Sequence, residues 1–381
     1  MYSTKKIIAM TRKIRVSKSV LNNEEAKAVS RVISGDGYLG MGKEVQKFEE
    51  DLKKFLGAKR KVICVNTGTA ALHLAVASVT KPGDEILVQS LTYVASFQAI
   101  SGASAVPIAC EVDPTTMTID LQDAEKRITD KTKAIMPIHY AGDPGNLDEI
   151  YKFAKKHNLR VIEDAAHAFG TIYKRKLIGS FGDIVCFSFD GIKNITSGEG
   201  GAIVTADLKV AQYVKDGRLL GVHKDTERRY KGLRSWKFDV THQGYRYHMS
   251  NLCAAIGRVQ LRKFSSFKKN RQYLAERYVE FLKNIDGVEI FKKNYNNIVP
   301  HIFSIKVMNG RRDKLMQYLN DSHVECGIHY YPNHLLSYYK SGILPVTEDI
   351  YNQLLTLPLH PNLTRAQQDT VISSIRKFCK K

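Results

Sequence analysis

Between residues 62 and 204, short β-rich runs alternate with helical segments, and this alternation limits the fold more than any other feature of the chain. The runs fall at residues 62–65, 85–88, 134–138, 160–162, 184–189 and 202–204, with helical segments such as 70–79 and 147–157 between them. Strand, helix, strand in this order predicts an α/β fold with a mostly parallel central sheet covered on both faces, because parallel neighbours need a crossover and a helix supplies it. Ligands of such sheets bind beyond the carboxyl ends of the strands, so the residues that close each strand are the ones to inspect for chemistry.

Two helices precede the alternation. Asn22 or Asn23 can cap the first, which opens with Glu24 and Glu25 and runs to Gly35, while the second, 43–56, carries Val45, Phe48, Leu52 and Phe55 on one face. Past about residue 262 the texture changes to a long Lys-rich helical stretch, 262–284, followed by short strands and turns. A chain of 381 residues can bury one large core and one smaller one. The sequence therefore predicts an N-terminal arm over 1–23, a large domain over 24–261 and a small C-terminal α+β domain over 262–381.

The chain carries 58 Lys and Arg against 38 Asp and Glu, a net charge of +20. A polyanion would suit that balance, yet the basic residues are spread as single charges on helix faces, as at Lys43, Lys53 and Lys155, without interleaved aromatics or a nucleic-acid motif. No nucleic-acid partner is expected, and the positive field serves an anionic small ligand as well. The six cysteines stand alone at wide spacings, which predicts neither disulfides nor a metal site. Residues 7–10 form an apolar patch too short for a signal peptide, and no run approaches the roughly 18 apolar residues of a membrane helix. The chain reads as cytoplasmic, with no membrane partner.

Three segments carry chemistry. Asn66-Thr67-Gly68-Thr69-Ala70-Ala71-Leu72-His73 lies where a strand ends and a helix begins. Free N–H groups at such a start, with the positive end of the helix dipole and a glycine that permits close approach, form a phosphate cup; a plain Thr N-cap after a glycine turn has the same sequence. Val161-Ile162-Glu163-Asp164-Ala165-Ala166-His167 is an apolar strand ending in two acids. A buried acid there either meets a cation or caps the next helix, and in an enzyme that uses pyridoxal 5′-phosphate (PLP) a carboxylate opposite the pyridine nitrogen keeps the ring protonated. In the third, a strand delivers Ser188, Lys193 follows in a polar turn, and the glycine-rich stretch Ser197-Gly198-Glu199-Gly200-Gly201 leads into another strand. Lys193 can be a solvated turn lysine; with small neighbours it can also reach an aldehyde and lose its proton.

In this order and at these separations, the three segments resemble the DegT/DnrJ/StrS family of PLP-dependent nucleotide-sugar aminotransferases, which have the aspartate-aminotransferase-like fold, PLP fold type I. The likeness continues through residues 35–50, 90–95, 142–148, 327–332 and 357–361, and so spans the chain from about residue 13 onward. It implies PLP as cofactor, Lys193 as the Schiff-base lysine and Asp164 as the partner of the pyridine nitrogen. It places His167 near the ring's phenolic oxygen and Tyr93 on the ring face. Gly68, Thr69, Ala70 and Ser188 match phosphate contacts, and His329 and Tyr330 match residues lining the sugar-nucleotide cleft. The implied reaction moves an amino group from an amino acid, glutamate in the family, to a nucleotide-diphosphate keto sugar, giving an amino sugar nucleotide for O-antigen, lipopolysaccharide or a glycoside. A homodimer with shared active sites is implied as well.

One position departs from the family pattern. Where many members carry an Asn that crosses the dimer interface to the partner's phosphate, this chain has Arg246, within Gly244-Tyr245-Arg246-Tyr247-His248-Met249-Ser250-Asn251. An arginine can bind that phosphate bidentately or reach the substrate's diphosphate instead. Members that dehydrate their sugar replace the lysine by histidine, so Lys193 favours transamination. The other readings are a PLP aminotransferase acting on a cyclitol ketone and a non-catalytic PLP-binding regulatory protein.

Overall fold

The alternation closes into a seven-stranded sheet, seen in a computed structural model that describes residues 13–35, 37–57, 59–234 and 236–380. Most of the basic arm, residues 1–12, lies outside the described residues. The chain begins with α1 (Asn23–Ser34), α2 (Lys43–Leu56), β1 (Lys61–Val65), α3 (Gly68–Ala77), β2 (Glu85–Gln89), α4 (Val94–Gly102) and β3 (Val106–Cys110). It continues through α5 (Leu121–Lys126), β4 (Thr132–Met136), α6 (Leu147–Lys156), β5 (Arg160–Asp164), a ribbon of β6 (Ile172–Tyr173) and β7 (Lys176–Leu177), β8 (Ile184–Ser188) and β9 (Gly201–Thr205). After α7 (Leu208–Gly217), α8 (Thr226–Tyr230) and α9 (Asn251–Leu282) come β10 (Val288–Ile290), β11 (Phe303–Val307), α10 (Arg312–Asp321), α11 (Pro345–Gln353), β12 (Leu354–Leu357) and α12 (Arg365–Cys379).

The large sheet runs β1-β9-β8-β5-β4-β2-β3, parallel from β8 to β3, with β9 antiparallel to both of its neighbours. Its strands are buried on both faces and obey the period of two. In β1, Val62 and Cys64 pack with Phe48 and Leu52 of α2, while Ile63 and Val65 face Leu74 of α3 and Val214 of α7. A second core gathers on the antiparallel sheet β10-β11-β12, from Phe303 and Ile305, Leu315 of α10, and Val371 and Ile375 of α12. The 32-residue α9 joins the two: Ala254 packs in the first core and Leu274, Tyr278 and Leu282 in the second.

Two elements differ from the sequence reading. α9 begins at Asn251, eleven residues before the Lys-rich stretch, because Ser250 caps it by accepting a hydrogen bond from Cys253 N at 3.2 Å. β3, which the sequence does not announce, contains Pro107 and lies at the sheet edge, where a missing N–H costs no ladder bond. At the other end of the chain's helical signals, Asn22 caps α1 in a reciprocal box with Glu25. Among the described residues, no helix is long and apolar enough to cross a membrane.

Candidate active site

The carboxyl ends of β1, β5 and β8 and the N-terminus of α3 enclose a cleft of about 440 Å³. At the helix start, Thr67 Oγ1 accepts from Ala70 N at 3.0 Å. The amides of Gly68 and Thr69, with no preceding turn to bond, stand at the positive end of the helix dipole on the cleft wall. Gly68 faces Ser188, the last residue of β8, and a Cβ at position 68 would lie 2.7 Å from Ser188 Cβ. The glycine thus leaves a cradle that any side chain would fill.

The two acids that close β5 separate because successive strand residues point to opposite faces. Glu163 turns into the core, where Oε1 accepts from Tyr151 Oη at 2.5 Å and Oε2 lies 3.2 Å from His139 Nε2 without a hydrogen bond. Asp164 faces the cleft, with Oδ2 accepting from Ser96 Oγ at 2.8 Å and Oδ1 from Ala166 N at 3.1 Å. Burial pushes its carboxyl up, opposed by those two hydrogen bonds and by the nearby charges of Lys193 and His139. No cation lies within ion-pair distance of Asp164 among the described residues, so the cleft offers a buried acid to a positively charged or protonated ligand.

Lys193 hangs in the turn after β8. Its N–H donates to Asp190 O at 3.1 Å, and the next side chain holds the turn down: Asn194 Nδ2 donates to the carbonyls of His167, Phe169 and Val299 at 3.4, 3.2 and 3.2 Å. Loss of hydration lowers the Lys193 amine to about 8, against the attraction of Asp164 and Asp190 and with the help of Arg271. The neutral, nucleophilic amine therefore accumulates as pH rises through about 8.

Gly68, Thr69, Tyr93, Asp164, His167 and Ser188 line this one cleft, together with Lys193, His329 and Tyr330. Tyr93 is 60% exposed, with its ring 5.7 Å from that of Tyr330. Tyr330 Oη lies 2.9 Å from His167 Nε2, and the His167 ring lies 4.4 Å from that of His301. Burial holds His167 and His301 well below the usual histidine range and His329 down at about 4, so all three are neutral at pH 7. Two positions stand apart: the Ala70 amide is taken by Thr67, and Arg246 is exposed outside the cleft lining, beside Leu219 and Asn66.

Ser96, Asp190, His301 and Arg271 belong to this neighbourhood and were not singled out from the sequence. Ser96 had a signal, three residues beyond Tyr93 on the first turn of α4. His301 had none, being 134 positions from the ring it packs against.

A phosphorylated aldehyde fits this cleft: a cradle of free amides, an amine that gives up its proton near pH 8 instead of in the usual lysine range, and a buried acid without a cation. On a mostly parallel sheet of this order, the class of protein built around such a ligand is the PLP-dependent aminotransferase of fold type I. Residues 19–376 match the model of the DegT/DnrJ/EryC1/StrS aminotransferase family, and the chain belongs to that family. The spore coat polysaccharide biosynthesis protein SpsC of Bacillus subtilis is 33% identical over 374 residues, 95% of this chain and 96% of its own. The structure of Helicobacter pylori PseC, an aminotransferase involved in the biosynthesis of pseudoaminic acid, superposes with a TM-score of 0.89 at 26% identity, covering 97% of this chain and all of that one. The PLP form of the putative sugar aminotransferase Spr1654 of Streptococcus pneumoniae gives 0.88 at 26% identity over 97% and 99% of the two chains.

Proposed function

We propose that this aminotransferase carries an amino group from glutamate to the keto group of a nucleotide-linked sugar, in the cytoplasm, for the synthesis of a surface polysaccharide or glycoside. The observation that carries the reading is the Lys193 amine sharing one cleft with the buried Asp164 and the glycine cradle. Gly68, Thr69 and Ser188 would hold the cofactor's phosphate, Asp164 its pyridine nitrogen, Tyr93 would cover its ring and His167 would stand near its oxygen. PLP bound there supplies an aldehyde carbon and an electron-poor ring that draws density from the bond being broken. The Lys193 amine would be the base that takes the proton from the donor's Cα and the acid that later delivers one to the sugar carbon that gains nitrogen. His329 and Tyr330 would bound the acceptor side of the cleft.

The assembly we propose is a homodimer. Leu233, Trp236, Phe238 and Val240 form an exposed apolar stretch, Trp236 being 89% exposed, and a second copy covering it would place Arg246 at an interface where its guanidinium can reach an anionic ligand.

Two measurements test the reading. Glutamate added to the PLP-loaded protein without acceptor should convert the aldehyde absorbance stoichiometrically, and a nucleotide-linked keto sugar should restore it while releasing an amino sugar nucleotide. A spectrum unmoved by glutamate rejects the donor, and restoration by free cyclitol ketones alone rejects the acceptor. Separately, Gly68→Ala should weaken PLP binding about tenfold or more, since the new methyl must displace Ser188 from the cradle, a strain on the order of 1–3 kcal/mol. Titration of the apoprotein with PLP checks this.

A further inference from the structure

Arg271 sits in the middle of α9 with 2% of its surface exposed, and its guanidinium meets only backbone carbonyls. Nη1 donates to Pro300 O, His301 O and Leu359 O at 3.3, 3.0 and 3.4 Å, and Nη2 donates to Ile192 O at 3.4 Å. Its Nε has no partner, and no carboxylate lies within ion-pair distance among the described residues. A buried charge without a counter-ion is costly, and a neutral donor could brace the same carbonyls at less expense. The position of the charge supplies a reason for it. Ile192 directly precedes Lys193, and the His301 ring packs at a tilt against that of His167.

We infer that Arg271 is a positioning residue for Lys193: it braces the turn from behind through the Ile192 carbonyl and sets, by its uncompensated charge, the field in which the Lys193 amine works. The inference rests on the reading of Lys193 as the reacting amine. The titratable groups around Lys193 are Asp164 at the end of β5, Asp190 in its own turn, Glu199 before β9, Tyr93, Tyr330, the histidines 167, 301 and 329, and Arg271 on α9. The three histidines are neutral, so Arg271 is the cation that opposes the two aspartates.

The test is the pH dependence of Lys193 reactivity in the apoprotein. Trinitrobenzenesulfonate labelling is followed at the peptide containing residue 193 by mass spectrometry, in the wild type, in Arg271→Gln, and with citrulline replacing Arg271. Citrulline keeps the shape and removes the charge, so it serves where the glutamine variant does not fold. The wild-type midpoint should lie near pH 8. In either folded neutral variant it should rise by about half a pH unit or more, the scale of a unit charge acting across a protein interior. A midpoint unchanged in a folded neutral variant overturns the inference. If the wild-type peptide is not labelled at any pH, the reading of Lys193 itself fails, a separate outcome.

Discussion

Lys193→Ala should lower transamination by about four orders of magnitude or more, while PLP stays bound without a covalent link. The size follows from the number of tasks the amine performs. In the proposed reading it would join the cofactor's aldehyde, give way to the donor and move the proton on and off carbon, and among the described residues no second amine lines the cleft to take over. The neutral histidines 167, 301 and 329 are held by burial and by Tyr330 and Thr356, and are not free to swing to Cα. Cofactor retention should be nearly unchanged, because the phosphate cradle and Asp164 do not depend on the lysine. Single-turnover rates with glutamate, together with equilibrium dialysis of PLP, check both halves. A rate within tenfold of wild type would remove Lys193 from the chemistry.

Asp164→Asn should cost roughly a factor of 10² to 10⁴ in rate, about 3–5 kcal/mol of transition-state stabilisation, with a small effect on folding. The two effects differ because the substitution keeps an acceptor and removes a charge. The new side-chain amide oxygen can still accept from Ser96 Oγ or Ala166 N, so the strand end keeps most of its anchoring. What is lost is the negative charge that, in the proposed reading, would hold a proton on the facing heterocycle. The companion variant Glu163→Gln isolates position from charge: one residue away but on the opposite face, against Tyr151 and His139, it should alter stability and leave the rate within a few-fold. Equal rate losses in both variants would show that the charge of Asp164 has no special role.

Much of the fold was legible because it is written in local patterns. The runs at 62–65, 160–162 and 184–189 are apolar and bounded by turn chemistry, and each became a strand of the large sheet. The helix start at the cleft was readable from Thr67 and Gly68, since a helix start exposes amides whatever surrounds it. What stayed hidden depends on which way a side chain faces. Arg271 lies among Lys268, Lys269 and Arg262 in a stretch that reads as solvated surface, yet its face of α9 turns inward onto carbonyls from three distant segments. Of the adjacent acids Glu163 and Asp164, periodicity alone says that they part, not which of them faces the cleft; the placement of Tyr151 and Ser96 decides that. β3 escaped because a proline in an edge strand breaks the pattern that marks a strand elsewhere.

The triple hold of Asn194 on the carbonyls of His167, Phe169 and Val299 turns the neighbouring residue into a crane on a bolted base. With its Cα moored to two other segments, the lysine nitrogen travels only by rotation about its own four methylene bonds. Each arrival and departure of a substrate then leaves the backbone at rest, and successive catalytic cycles begin from the same geometry.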